Sequence, residues 1–315
     1  MTGFLLTTAP IFLLIALGYG TVRTELIPAA WLPALGGFVI RIALPAMIFS
    51  SLSQRGLAEV MNFRYLLAYA LGSLVVLGCA VLWAREVRHA SLERSAIIGM
   101  GASVPNSVFI GYPIALQVVG TAASTALALC VIVENVVLLP LCLALADAGS
   151  ASHEPFHRAM GRALAGLRTN PLVLSIAVGV LCSALHLGLP PPLGRAVDLL
   201  AGASAPVALF YVGGNLVGLP LRDMMLDVYA VSFGKLVLQP LAVAGGLLLL
   251  APADPALRVA AVLIASAPML SIYPIFGARH AMQGFCAATL LIATLCSFVT
   301  SSAAVWLLQA GSAVP

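Results

Sequence analysis

Two segments of this 315-residue chain combine prolines with polar side chains inside otherwise apolar stretches. Residues 103–113 read SVPNSVFIGYP, and residues 266–274 read SAPMLSIYP. Two prolines so close together break a helix, because each lacks a backbone N–H donor and its ring clashes with the preceding turn. The N–H groups at the start of a half-helix favour an anion, and the Asn106 amide can donate to a carboxylate. The two segments therefore predict an anion-binding site.

We expect six residues of these segments to line the site. They are Pro105, Asn106, Ser107, Tyr112, Pro268 and Ser271. The alternative is that the prolines only kink two packed helices, as prolines do in many membrane proteins. Their occurrence in two matched segments favours the interpretation as broken helices that bind substrate.

Three strongly ionisable residues, Arg41, Glu134 and Lys235, also lie well inside apolar stretches. A charge in a bilayer is costly, so each is a candidate for ion coupling or charge pairing. The alternative is that they pair with one another, or that the long stems of Arg41 and Lys235 carry their charges to the membrane interface. Glu134 is too short for that and is a candidate for proton coupling or an ion pair. His280 is expected to be interfacial rather than a proton relay.

Several classes of function find no support in the sequence. Neither Pro105 nor Pro268 has an acidic neighbour, which disfavours a cation exchanger with crossing helices. The sequence has no GxxxxGK[ST] loop, no HExxH and no serine–histidine–acid grouping, so we predict no enzyme, catalytic residue, metal or cofactor. The basic residues form no cluster, which argues against nucleic-acid binding. The six cysteines, all in apolar stretches, are expected to be core residues.

The composition indicates a membrane protein, with 62% hydrophobic residues, 8% charged residues and a mean hydropathy of +1.09. A spanning helix needs about 20 apolar residues. Ten such stretches are predicted, at about 4–22, 32–53, 63–83, 94–118, 121–146, 170–187, 193–215, 226–250, 256–280 and 284–309. Residues 147–169 form the longest polar connection and are predicted to be a linker between two five-helix halves, 1–146 and 170–315.

The basic residues predict the orientation of these stretches. With the N-terminus outside, nine of them lie on the cytoplasmic side: Arg23, Arg85, Arg88, Arg94, Arg158, Arg162, Arg168, Arg222 and Arg279. Four lie on the outer side: Arg55, Arg64, Arg195 and Arg258. Since cytoplasmic loops are enriched in Lys and Arg, we expect a bacterial inner-membrane protein with both termini periplasmic and the linker cytoplasmic.

The two halves also resemble each other in sequence. At an offset of 161 residues, Pro10, Pro45 and Pro113 match Pro171, Pro206 and Pro274, and Ile15, Ala16 and Gly18 match Ile176, Ala177 and Gly179. At an offset of 163, Ser103 and Pro105 match Ser266 and Pro268. Since five is an odd number, the second half must enter from the opposite side of the membrane. The predicted fold is all-α, with two inverted repeats whose fourth and ninth helices are discontinuous and cross.

Three segments resemble the auxin efflux carrier family, which includes plant auxin carriers and bacterial malonate- and malate-type transporters. They are the NxxFxGxP pattern that starts at Asn106, the run from Phe38 to Phe49, and the KLVLQP sequence that starts at Lys235. Together with the ten stretches, the resemblance covers nearly the whole chain. It implies a fold like that of bile-acid sodium symporters and cation–proton antiporters, and it allows a homodimer.

The resemblance also implies a function, namely efflux of organic anions by elevator-type alternating access. Pro105 and Asn106 match the proline and the substrate-binding asparagine of the first crossover, and Pro268 matches the proline of the second. Plant members have an asparagine after that second proline, whereas this chain has Met269, which favours a small dicarboxylate such as malonate or malate over auxin. Two alternatives stay open: a sodium-coupled symporter of the bile-acid type, and a transporter-like receptor, for which the linker is short.

Overall fold

The computed structural model describes residues 2–53, 62–150, 156–185, 187–218, 225–250 and 254–311, and the regular secondary structure in these ranges is helical. The α-helices, numbered in chain order, are α1 Thr2–Arg23, α2 Leu32–Phe38, α3 Leu44–Ser53, α4 Phe63–Glu86, α5 Leu92–Ser103, α6 Tyr112–Val119, α7 Ala122–Val133, α8 Leu139–Gly149, α9 Phe156–Ala165, α10 Pro171–Ala184, α11 Pro191–Asn215, α12 Met225–Phe233, α13 Gln239–Leu250, α14 Pro255–Ala265, α15 Tyr273–Ala278 and α16 Gln283–Gly311. The predicted all-helical class is confirmed.

Among the described residues, six helical stretches are long and apolar enough to cross a membrane. They are Ala29–Ser50, Phe63–Glu86, Ala122–Gly149, Pro191–Asn215, Leu226–Leu250 and Gln283–Leu308. Four shorter apolar helices are Leu13–Arg23, Ser107–Val119, Pro171–Ala184 and Pro255–Ala265. Helices suit an apolar solvent because each one satisfies its backbone hydrogen bonds internally.

The ends of the six long stretches lie within three residues of the predicted ends, and each of the four shorter helices overlaps one of the other predicted stretches. The predicted linker 147–169 is not an irregular connection throughout. Its residues 156–165 form helix α9, which packs against α8. Residues 151–155, with His153 and Glu154, lie outside the described residues, as do Arg55 and Arg222.

Four π-helical turns interrupt the α-helices, and each one is followed by a proline. The turns are Val39–Ala43, Ser107–Gly111, Glu134–Leu138 and Gly234–Leu238, and the prolines are Pro45, Pro113, Pro140 and Pro240. In every case the residue four positions before the proline lies at the centre of the turn. A proline clashes with the carbonyl of that residue in an α-helix. The wider turn relieves the clash, so these π turns follow from the positions of the prolines.

Long helices pack closely through small residues. Helix α1 packs along α11, α3 packs on α10, and α4 packs on α13. A Cβ atom added to Gly213 of α11 would lie 1.9 Å from the carbonyl oxygen of Ile15 in α1. Only glycine permits this approach, and small residues at such interfaces are how membrane helices gain close contact without a hydrophobic driving force.

Candidate functional site

The two proline-containing segments are interrupted helices, and their interruptions meet. Helix α5 ends at Ser103 before the turn that begins at Ser107, and α14 ends at Ala265 before α15 begins at Tyr273. Pro105 and Met269 form an isolated antiparallel bridge, and the Asn106 N–H donates to the Pro268 carbonyl at 2.6 Å. Each interruption thereby satisfies backbone groups of the other, as the interior of a membrane requires.

Asn106 lies at the centre of this contact and is 1% exposed. Its Oδ1 accepts from the Phe109 N–H at 3.2 Å, which caps the helical turn that follows. Its Nδ2 donates to Ser271 Oγ at 2.6 Å. The side chain therefore links the two interruptions, and its hydrogen bonds are made inside the protein in this conformation.

Gly111 allows the first segment to lie against the second. A Cβ atom on Gly111 would lie 3.0 Å from Ile264 Cα and 3.2 Å from the Ile264 carbonyl oxygen. Farther along the same crossing, the hydroxyl of Tyr273, which is fully buried, donates to the carbonyl of Ile97 in α5 at 2.9 Å. The segment 103–113 thus contains a glycine that permits close packing, Gly111, as well as polar side chains.

Glu134 begins the π turn between α7 and α8 and is 4% exposed. Its Oε1 accepts from Ser107 Oγ at 2.5 Å and from the Tyr69 hydroxyl at 2.8 Å. The Tyr69 ring stacks on that of Tyr65, one turn earlier in α4. Tyr69 was not among the predicted residues. Its only signal in the sequence is that another tyrosine, Tyr65, lies four residues earlier in an apolar stretch.

Lys235, in the π turn between α12 and α13, is fully buried. Its Nζ donates to the Ala265 carbonyl at 2.6 Å, at the end of α14 where the helix dipole is negative. No ion pair within 4.0 Å joins Lys235 to Glu134 in the described ranges, although their charges interact through space. One turn further along α13, Gln239 Nε2 donates to Ser73 Oγ of α4 at 2.9 Å.

A cavity of about 490 Å³ lies beside the crossing. Tyr112 of α6, Met47 and Ser50 of α3, and Asp198 and Ser204 of α11 line it. Ser50 Oγ donates to Asp198 Oδ1 at 2.7 Å. The cavity therefore lies between α6 and the helices α3 and α11. Asp198 was not among the predicted residues, because it lies close to the start of its helix rather than deep inside.

The remaining predicted candidates lie apart from this contact. Arg41 is in the π turn before α3, its side chain is exposed, and no hydrogen bond or ion pair among the described residues involves it. His280 Nδ1 lies 2.7 Å from Glu93 Oε1, which ties the end of α15 to the start of α5. The structure thus gathers Pro105, Asn106, Ser107, Tyr112, Pro268, Ser271, Glu134 and Lys235 around one crossing, and Arg41 is separate from it.

The chain is similar in sequence to known membrane transport proteins. A family model described as membrane transport protein matches residues 4–307. A Rhizobium meliloti protein named "Putative malonate transporter" is 30% identical over 314 residues, which cover 99% of this chain and 97% of that protein. Arabidopsis thaliana auxin efflux carrier component 3 is 27% identical over 135 residues, 42% of this chain and 21% of that protein. The uncharacterized transporter YfdV of Escherichia coli is 24% identical over 247 residues, 77% of each chain.

Proposed function

Because the chain belongs to the auxin efflux carrier family of membrane transport proteins, we propose that it exports a small organic anion, a dicarboxylate such as malonate or malate. The observation that supports this most directly is the contact between the two interruptions, with Asn106 at its centre. The name of the Rhizobium relative, which aligns along almost its whole length, supports the dicarboxylate. A carrier, unlike an enzyme, needs only reversible contacts of this kind with its substrate.

The proposed architecture is a pair of inverted five-helix repeats, with residues 147–169 as the connection. The pattern of contacts supports it. Helix α1 starts the first half and packs on α11, whereas α10 starts the second half and packs on α3. Exchange of the two halves converts one contact into the other, as a pseudo-twofold axis in the membrane plane requires. The arginine distribution supports periplasmic termini and an inner-membrane location.

In the proposed binding mode, a substrate carboxylate takes the place of the Ser271 hydroxyl as the acceptor for Asn106 Nδ2. Opening of the crossing toward the neighbouring cavity would make this exchange possible. An amide suits the task, since it contributes a donor without a permanent charge that would hold the anion too tightly for release. Tyr112 lines the cavity and adds a second polar group on the same segment.

Elevator-type movement would shift the crossing segments relative to α11. The Phe109 and Tyr211 rings lie 5.3 Å apart and tilted by 31°, across this boundary. Apolar and aromatic contacts are non-directional enough to slide, whereas a network of hydrogen bonds would resist the movement. The hydrogen bonds of Asn106, Tyr273 and Lys235 instead lie within the crossing unit, which would move as one body.

The position of Lys235 favours transport without sodium over the sodium-coupled alternative. The carbonyl end of an interrupted helix and a nearby carboxylate are the ligands that coordinate a sodium ion in secondary transporters. Here the ammonium group of Lys235 already donates to the Ala265 carbonyl and interacts with the charge of Glu134. The Lys235 side chain would therefore occupy the place of a coupling sodium ion at this carbonyl.

Two substitutions of Asn106 separate its capping role from its proposed role in binding. Asn106→Asp keeps an oxygen that can accept from Phe109 N–H, but it replaces the donor with a negative charge. We expect this variant to fold and to lose uptake of labelled malonate into proteoliposomes. Asn62→Asp is the matched control, because Asn62 caps α4 by accepting from Tyr65 N–H at 3.0 Å; its flux should be unchanged.

The same proteoliposome assay tests whether transport is coupled to sodium. Wild-type flux should be equal with and without a sodium gradient. Normal malonate flux in Asn106→Asp would contradict the binding site, and a strict requirement for sodium would favour the symporter. Absence of flux for malonate, malate and other small dicarboxylates in the wild type would refute the proposed substrate class.

A further inference from the structure

A polar pocket of about 350 Å³ lies at one end of helices α4, α5 and α12, away from the crossing. It is lined by Arg88, His89, Ala90, Ser91, Arg94 and Asp227. Asp227 lies 2.7 Å from Arg88 Nε and 3.3 Å from Arg94 Nη2, and its side chain is 2% exposed. The side chains of Arg88 and Arg94 are 38% and 32% exposed. Both arginines thus contact one buried carboxylate, and their guanidinium groups are partly exposed at the pocket.

An apolar groove of about 280 Å³ lies between the same three helices. Its wall consists of α4 residues between Val76 and Trp83, Ile98 and Ala102 of α5, and residues between Ala230 and Leu238 of α12 and the turn that follows it. Cys79 and Phe233 are exposed, so the groove opens to the side of the protein that the bilayer covers. Its shape and chemistry fit a hydrocarbon chain.

Residues of the pocket lie within about one turn of residues of the groove at all three helices. The Arg88 N–H donates to the carbonyl of Trp83, which ends the groove on α4. Arg94 is followed one turn later by Ile98 on α5, and Asp227 is followed one turn later by Val231 on α12. The polar pocket therefore lies at the mouth of the groove, as a phosphate headgroup lies at the end of its acyl chain.

We propose that this pocket and groove together bind one anionic phospholipid, with its phosphate at Arg88 and one acyl chain along α4. In the proposed orientation the pocket faces the cytoplasmic leaflet, where basic pockets between helices bind anionic lipids. Arg88 contacts Asp227 through Nε, and no hydrogen bond among the described residues uses its Nη groups, so these donors can reach a phosphate. The site does not depend on the transported substrate.

Native mass spectrometry of the purified full-length chain tests the proposal with phosphatidylglycerol, phosphatidylcholine and glycerol 3-phosphate as probes. We expect phosphatidylglycerol to be retained about fivefold more than phosphatidylcholine, the ratio that one arginine contributes near an anionic surface. Glycerol 3-phosphate, which has no acyl chain, should neither be retained nor displace the lipid. A phosphatidylglycerol with a photoreactive acyl chain should crosslink to residues 76–83 or 230–238.

Two pairs of variants sharpen the test. Arg88→Gln should abolish the preference for phosphatidylglycerol, whereas Arg85→Gln, in the last turn of α4 and outside the pocket, should keep it. Ala80→Trp should fill the groove and reduce retention of both lipids, whereas Val75→Trp, at an exposed position outside the groove, should not.

Equal retention of the two lipids by the wild type would overturn the proposal. Displacement by glycerol 3-phosphate would do so as well. Crosslinks spread over other lipid-facing positions, such as Leu248 and Leu249, would also overturn it. This crosslinking result needs no substitution, so it decides the matter even when Arg88→Gln fails to fold.

Discussion

The two interrupted helices have the same backbone design but different chemistry. The first interruption spans three residues between α5 and the turn at Ser107, and Asn106 caps that turn with its own side chain. The second spans seven residues between α14 and α15, and Ile272 before α15 forms no side-chain cap. A residue from another helix, Lys235, instead satisfies the end of α14.

This difference shows how a duplicated structure can specialise. The first interruption presents an amide donor and connects through Ser107 to an acidic group, Glu134. The second presents carbonyl acceptors and depends on a positive charge supplied by α12 and α13. The two halves keep the same backbone arrangement, which preserves the crossing. Different side chains at the two interruptions then place an acidic group beside the first and a basic group beside the second.

The largest effect on stability is expected for Lys235→Met. This variant tests whether the end of α14 depends on a side chain from another helix. The change removes the donor to Ala265 and leaves Glu134 without a compensating charge. Since no ion pair joins the two groups, the main cost is the lost hydrogen bond to the Ala265 carbonyl, about 1.5–3 kcal/mol, and the free energy of unfolding in detergent should fall by roughly this amount.

Addition of Glu134→Gln to Lys235→Met should restore part of that stability, since a neutral amide can still accept from Ser107 and Tyr69. A double variant no more stable than Lys235→Met would contradict the electrostatic coupling of the two sides.

An intermediate effect is expected for Gly111→Ala, which tests the close contact of the two segments. The added methyl group would lie 3.0 Å from Ile264 Cα and must push α14 away. Overpacking of this kind costs about 1–3 kcal/mol, and transport should fall with it.

Gly245→Ala in α13 is the matched control, because a Cβ atom at Gly245 meets nothing within 4 Å. It should be neutral or stabilising in the same thermal unfolding assay, since alanine is the better helix former. An equal loss of stability in both variants would show that contact with Ile264 is not the cause.

The smallest effect is expected for Ser271→Ala, which removes the side-chain link between the interruptions. Asn106 Nδ2 loses its acceptor, at a cost of about 0.5–1.5 kcal/mol. Ser302→Ala serves as the control, because Ser302 is buried and its hydroxyl has no hydrogen-bond partner among the described residues. A smaller loss of stability in Ser271→Ala than in this control would mean that the link contributes nothing.

Much of the helical layout was predictable, because apolar stretches of suitable length are visible without any knowledge of packing. The prolines of residues 103–113 and 266–274 likewise predicted the interruptions, since the effect of proline on a helix is local. The helix Phe156–Ala165 was missed because its polar composition resembles that of a connection. It is stabilised by contact with α8, which a local pattern does not reveal.

The partners of the charged groups were not predictable, for a different reason. Lys235 bonds to a backbone carbonyl, and every residue has one, so no sequence pattern identifies Ala265 as its partner. Tyr69 reaches Glu134 only because α4 lies beside the turn between α7 and α8. Such contacts depend on tertiary packing, whereas the turns themselves depend on the local prolines.

The π turns that precede Pro45, Pro113, Pro140 and Pro240 each insert one residue more than an α-helical turn holds. Side chains after such a turn are rotated by about 100° around the helix axis relative to an uninterrupted α-helix. Lipid-facing side chains assigned along Ala122–Gly149 from one continuous α-helical periodicity would therefore be correct before Glu134 and wrong after it. Removal of one residue from that turn, together with replacement of Pro140, would give an unbroken helix whose second half still presents the same side to its neighbours, whereas replacement of Pro140 by itself, with closure of the turn to an α-helix, would rotate that half by about 100°.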